Sequence, residues 1–126
     1  IQVQDEEALN GTIISDIREL HEQGFQCVAV ICRTEEESRR VHKQLSADIH
    51  TRLITKTTPA FEKGTLVVPA YLAKGVEFDA VIIYNGSEAV YHRESDRKLF
   101  YTACTRAMHK LHVYHIGEKS HFIPET

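Results

Sequence analysis

Three short stretches of this 126-residue chain hold the residue types that could do chemistry. In "KLFYTACTRAMHKLHVYH", Thr105 and Arg106 close an otherwise apolar helical pattern, just before the chain turns to strand-like alternation. In "VICRTEEES", Arg33 directly follows an apolar run. In "YLAKGVEFDAVII", Lys74, Gly75 and Glu77 stand immediately ahead of another such run. A guanidinium can fork two donors onto phosphate oxygens. A carboxylate at a strand end is suited to accept from sugar hydroxyls. Gly75 permits a turn that no β-branched residue tolerates. Singly each of these is a weak signal. Each residue also has a plainer reading. Arg33 could pair with the glutamates beside it and Glu77 could be a loop carboxylate next to Lys74, contacts worth about 0–1 kcal/mol. Arg106 would be comfortable as a helix cap, worth about 0.3–1 kcal/mol.

The elements that must position these residues alternate along the chain. "IQVQ" reads as the end of a strand. From about residue 6 to residue 23, Leu9, Ile13, Ile14, Ile17 and Leu20 recur at helical spacing, and Gly24 follows as a stop. "FQCVAVIC" is nearly continuous apolar and β-branched, as expected of a parallel strand covered on both faces. Thr34 with Glu37 three residues on forms a capping box for the helix in "TEEESRRVHKQL", and the glutamates of its first turn suit the helix dipole. "TRLITKT" reads as a short strand and Pro59 to Gly64 as a connection. "TLVVPA" and "AVIIYN" are two further buried strands, the first ended early by Pro69, which gives the ladder no donor. The polar run 91–97 reads as a loop, with a helix from about Ser95 to Ala107 and a last strand from about Lys110 to Ile116. Strand-helix-strand alternation with buried strands predicts an α/β domain with a mainly parallel sheet. In such sheets ligands gather at the carboxyl ends of the strands, which is where all three stretches are expected.

Composition narrows the function. A chain of this length fits one domain, residues 1–126, and its opening at Ile1 without a methionine reads as a piece of a longer protein. A net charge of −3 gives no bulk attraction to nucleic acid, so any phosphate contact must come from individually placed residues. No apolar run approaches the roughly 20 residues of a membrane span. Cys27, Cys32 and Cys104 are too few and scattered for a disulfide framework and read as thiols of a reducing cytoplasm. His109, His112 and His115 recur every third residue near Cys104. Strand alternation would send His112 to the opposite face, so no shared metal site is expected. No "GxxxxGK[ST]" loop occurs anywhere in the chain.

Taken in order, the three stretches resemble motifs of the second RecA-like motor domain of superfamily 1 helicases, the UvrD-like group. "AVICRTEEESRRVHKQL" looks like the fourth motif, an apolar strand, then arginine, then a helix. "AKGVEFDAVII" is similar to the fifth, usually lysine-glycine-leucine-glutamate-phenylalanine before a strand. "DRKLFYTACTRAMHKLHVY" resembles the sixth, an arginine-rich helix with tyrosine, then threonine-arginine-alanine, then a strand. The resemblance implies a RecA-like three-layer fold, with helices on both faces of the sheet. It implies half of an ATP-driven DNA helicase or translocase, with ATP and Mg2+ held mainly by the N-terminal RecA-like domain of the same parent chain. Arg106 would reach the γ-phosphate as an arginine finger and Arg33 would be a second arginine there. Glu77 would contact the ribose, with Gly75 and Lys74 of the same motif on the nucleotide side.

Several positions depart from the family pattern. Cys32 stands where many relatives carry a tyrosine that stacks on adenine. Tyr71 and Pro69 replace a histidine and a threonine that touch nucleic acid, leaving Tyr71 as the candidate contact to DNA. The fourth and fifth motifs follow each other closely, where many relatives insert a whole further domain. That spacing and the wording "VPAYLAKGVEFDAVIIYN" resemble the HelD-like branch, whose members act with bacterial RNA polymerase.

Overall fold

A computed structural model of the chain describes residues 2–56, 63–87, 91, 94–118, 120 and 122. The elements run β1 (Gln2–Val3), α1 (Glu6–Glu22), β2 (Cys27–Cys32), α2 (Glu35–Leu45), β3 (Arg52–Leu53), β4 (Gly64–Pro69), a 3₁₀ turn (Ala70–Leu72), β5 (Phe78–Ile83), α3 (Glu94–Cys104), β6 (Ala107–Val113) and β7 (His115–Ile116). Five strands form one sheet in the order β3-β4-β2-β5-β6, and every pairing in it is parallel. β1 and β7 pair in parallel as a separate ribbon.

The central strand explains the layering. Val28, Val30 and Cys32 of β2 pack in one core with Leu9 of α1 and Val41 of α2. Ala29 and Ile31 of the same strand pack in a second core with Phe100 and Ala103 of α3. A strand with period two and apolar residues on both faces needs cover on both, and α1 with α2 on one side and α3 on the other supply it. This is the expected three-layer α/β domain.

Local chemistry sets the helix starts. Asp5 caps α1, its carboxylate accepting from the Ala8 N–H at 2.8 Å. Gly24, at φ 99°, lies just beyond the C-cap of α1. Thr34 caps α2 as expected, its hydroxyl accepting from the Glu37 N–H at 3.1 Å. The reciprocal bond of the box differs: Glu37 accepts at 3.0 Å from the N–H of Arg33, one residue before the cap. Burial of Glu37 pushes its carboxyl up, while the Arg33 N–H and the charge of Arg40 oppose the rise.

The later elements depart from expectation in their limits. β4 keeps Pro69 as its last residue, because a missing donor costs nothing once the ladder ends there; φ −69° and ψ 142° are ordinary extended chain. Only Arg52 and Leu53 of "TRLITKT" pair with a neighbour. Most of the Pro59–Gly64 connection lies outside the described residues. Glu94 to Arg97 are helical, so the polar run read as a loop contains the start of α3. α3 stops at Cys104, because Arg106 O accepts from the Phe78 N–H at 2.8 Å and so already belongs to the sheet ladder. β6 therefore starts at Ala107, three residues earlier than the alternation implied.

Candidate functional site

The strand ends decide where each candidate residue lies. Arg33 follows the carboxyl end of β2, and Tyr71 follows that of β4. Glu77 and Arg106 precede β5 and β6, and so sit at the amino edge. The expectation that all three stretches share the carboxyl edge is corrected here. Parallel strands of six residues put roughly 20 Å between the two edges.

At the amino edge two turns are held side by side. Gly75 adopts φ 81°, the conformation its turn needs, and the Val76 N–H donates to Ala73 O at 3.1 Å. The Phe78 N–H to Arg106 O bond joins this turn to the Thr105–Arg106 turn. Asp79 braces the same edge, its Oδ2 accepting from the N–H groups of Gln26 and Cys27 at 3.0 Å each. Nothing in the apolar pattern marks Asp79 for that task. Glu77 and Lys74 are exposed, and Glu77 makes no hydrogen bond among the described residues.

The threonine-arginine pair has a specific local geometry. Arg106 Nε donates to Thr102 O at 3.1 Å, and its Nη2 donates to Thr105 Oγ1 at 3.1 Å. Thr105 in turn donates to Thr102 O at 3.0 Å. Arg106 does cap the last turn of α3, and the cap holds its guanidinium in one orientation. Capping and phosphate binding are compatible, because Nη1 takes no part in the cap.

Arg33 is held from the other end of the same helix. Its Nε and Nη2 donate to Asp96 Oδ1 at 3.0 and 2.8 Å. The plainer pairing with the neighbouring glutamates is not the one formed. Asp96 and Thr102, the two anchors, are six residues apart on α3, about 9 Å of axial rise. The backbones of Arg33 and Arg106 lie at opposite edges, yet their guanidiniums are fastened to a single helix.

Ala70, Tyr71 and Lys74, with Lys98, Leu99 and Thr102 of α3, line a groove of about 300 Å³. Tyr71 is 44% exposed there. Lys98 and Thr102 join the site through the helical turn alone, and only the spacing of α3 could have pointed to them. Cys32 is fully buried, and burial pushes its thiol well up, so it offers neither a ring nor a thiolate. Burial raises the Cys104 thiol to about 11. The three histidines are engaged separately: His109 stacks on Phe25, His112 meets Asp16 at 2.6 Å, and His115 meets Gly117 O at 2.8 Å. His115 belongs to β7, outside the strand that carries the other two.

The family model for the UvrD-like helicase C-terminal domain matches residues 66–114, which run from β4 through Tyr71, Glu77 and Arg106 to the end of β6. Over 96% of its length the chain also matches the C-terminal domain of a possible DNA helicase from Lactobacillus plantarum WCFS1, at 34% identity, 74% coverage of that chain and a TM-score of 0.87. The chain belongs to the UvrD-like helicase C-terminal domain family. A second likeness is to arterivirus nonstructural protein 10, a helicase solved with DNA. It covers 98% of this chain and 31% of that one at 10% identity and a TM-score of 0.55, and shows the fold alone. No curated protein matches in sequence. Among the described residues of this helicase motor domain, no helix is long and apolar enough to cross a membrane. No cluster of metal-ligating side chains occurs among them either.

Proposed function

We propose that this UvrD-like domain is the second half of an ATP-driven DNA motor within a longer cytoplasmic chain. Its substrate ATP is held, with Mg2+, mainly by the other RecA-like domain. Arg106 and Arg33 supply positive charge to the phosphates, and Glu77 accepts from the ribose, with Lys74 and Gly75 shaping that turn. The observation that carries the reading is the fastening of both guanidiniums to α3, with the Glu77 turn joined to Arg106 through the Phe78–Arg106 bond. A lone surface arginine needs no such arrangement. Phosphoryl transfer asks of a protein mainly fixed positive charge at the transferring group, and two arginines whose side chains are fastened to one helix are suited to provide it.

Glu77→Ala in the intact enzyme tests the ribose contact. A hydrogen bond to a charged group is worth about 1.5–3 kcal/mol, so nucleotide affinity should fall by about 10- to 100-fold. Titration of a fluorescent ATP analogue measures it, and an unchanged Kd would leave Glu77 as a loop residue only.

DNA is read into the groove beside Tyr71. An exposed ring with Lys74 and Lys98 nearby is suited to stack one base and hold its flanking phosphates. Removing the ring in Tyr71→Ala should cost about 1–3 kcal/mol of single-strand affinity. Equal affinity in the variant and wild type would take the base out of this groove.

A second reading has its own observation. From the end of α2 at Leu45 the chain reaches the Lys74–Glu77 turn by way of β3, β4 and the 3₁₀ turn alone among the described residues, too short a path for a further domain. This is the short spacing that resembles the HelD-like branch, in which ATP use would release a factor from RNA polymerase. Duplex unwinding by the intact enzyme favours the motor. ATP-dependent release from polymerase without unwinding favours the factor.

A further inference from the structure

We infer that Asp96 is the positioning residue that aims Arg33, an inference resting on the proposed phosphate role of Arg33. Glu35, Glu36 and Glu37 lie within four residues of Arg33 and would satisfy a surface guanidinium. The guanidinium instead crosses to a carboxylate 63 residues away on α3. That pair is one-sided: the Asp96 side chain is 3% exposed and that of Arg33 28%.

The contact geometry says what the pair does. Both donors to Asp96 come from the Nε–Nη2 edge and meet one oxygen, Oδ1. Two hydrogen bonds from a planar fork to a fixed acceptor set the plane as well as the place of the guanidinium. The opposite edge, Nη1 with Nη2, is the one that can fork onto a phosphate. Asp96 lies in the first turn of α3, where the helix dipole stabilises a negative charge. The backbone is pinned too, through the Arg33 N–H to Glu37. Because Arg106 is fastened to Thr102 of the same helix, Asp96 also fixes the spacing between the two arginines.

The test is a double-mutant cycle on the intact enzyme, comparing wild type, Arg33→Ala, Asp96→Asn and the double variant. Asp96→Asn keeps the shape and removes the charge. It should lower kcat by about 10- to 100-fold, the scale of a small misplacement at a reacting centre, with KM for ATP unchanged. The double variant should be no slower than Arg33→Ala, because the aspartate acts only through the arginine. Asp96→Glu, which keeps the charge one methylene away, should fall between wild type and Asn, and it stands in if Asn does not fold. Losses that multiply in the double variant would overturn the inference. So would an Asp96 variant with full kcat and only a lowered Tm. An Arg33→Ala enzyme with wild-type turnover would remove the phosphate reading itself, and the positioning role with it.

Discussion

Arg106→Ala in the intact enzyme is expected to cut ATP turnover by about 10³–10⁵-fold, the range for an arginine finger in related NTPases. The fold should survive. As a cap on α3 the side chain adds up to about 1 kcal/mol, and Thr105 still donates to Thr102 O without it. The Ala variant alone leaves the two roles partly entangled, since it deletes both. Arg106→Lys separates them. Lysine keeps a positive charge near the last carbonyls of the helix and keeps the dipole contribution. It loses the planar fork, which here holds Thr102 O with Nε and Thr105 Oγ1 with Nη2 while Nη1 is left over. An ammonium cannot keep both contacts and present a further directed donor to a phosphate. Single-turnover hydrolysis should therefore remain badly impaired in Arg106→Lys while Tm stays near wild type. A lysine variant that hydrolyses at full rate would reduce Arg106 to its capping bond.

The sequence carried the layering of this fold well, because both signals involved are periodic. The helical spacing of Leu9 to Leu20 and the unbroken apolar run in β2 each specify burial, and the core is built from them. Gly75 was equally legible, since only a glycine is at ease at φ 81°. The edge on which Arg106 sits was not legible. It depends on where α3 ends, and that depends on a sheet bond from Phe78, 28 residues upstream. Local pattern runs on past Cys104 because Ala107 and Met108 continue the helical apolar face. The partner of Arg33 was hidden for a similar reason. Three adjacent glutamates are the obvious local choice, whereas Asp96 becomes available only when α3 packs on the face of the sheet beside β2. Long-range contacts between single polar residues leave no period to read.

The isolated 126-residue domain should hydrolyse ATP no faster than buffer, although it carries both arginines. Arginines act on a phosphate already in place, and holding reactants in line can supply about 7–11 kcal/mol of the barrier reduction. Backbone cradles at helix N-termini are the usual means of holding a triphosphate. Among the described residues, each of the three α-helices opens with acids: Glu6 and Glu7 on α1, Glu35 to Glu37 on α2, and Glu94 and Asp96 on α3. Those carboxylates stabilise the helices through the dipole and repel a phosphate from the same amides. No glycine-rich loop follows any strand to supply another cradle. On the proposed reading, Arg33 and Arg106, both fastened to α3, act on a phosphate that another domain holds. A coupled ATPase assay on the purified domain measures it. Turnover above background that Arg106→Ala also removes would place a complete site on this chain and defeat the half-site reading.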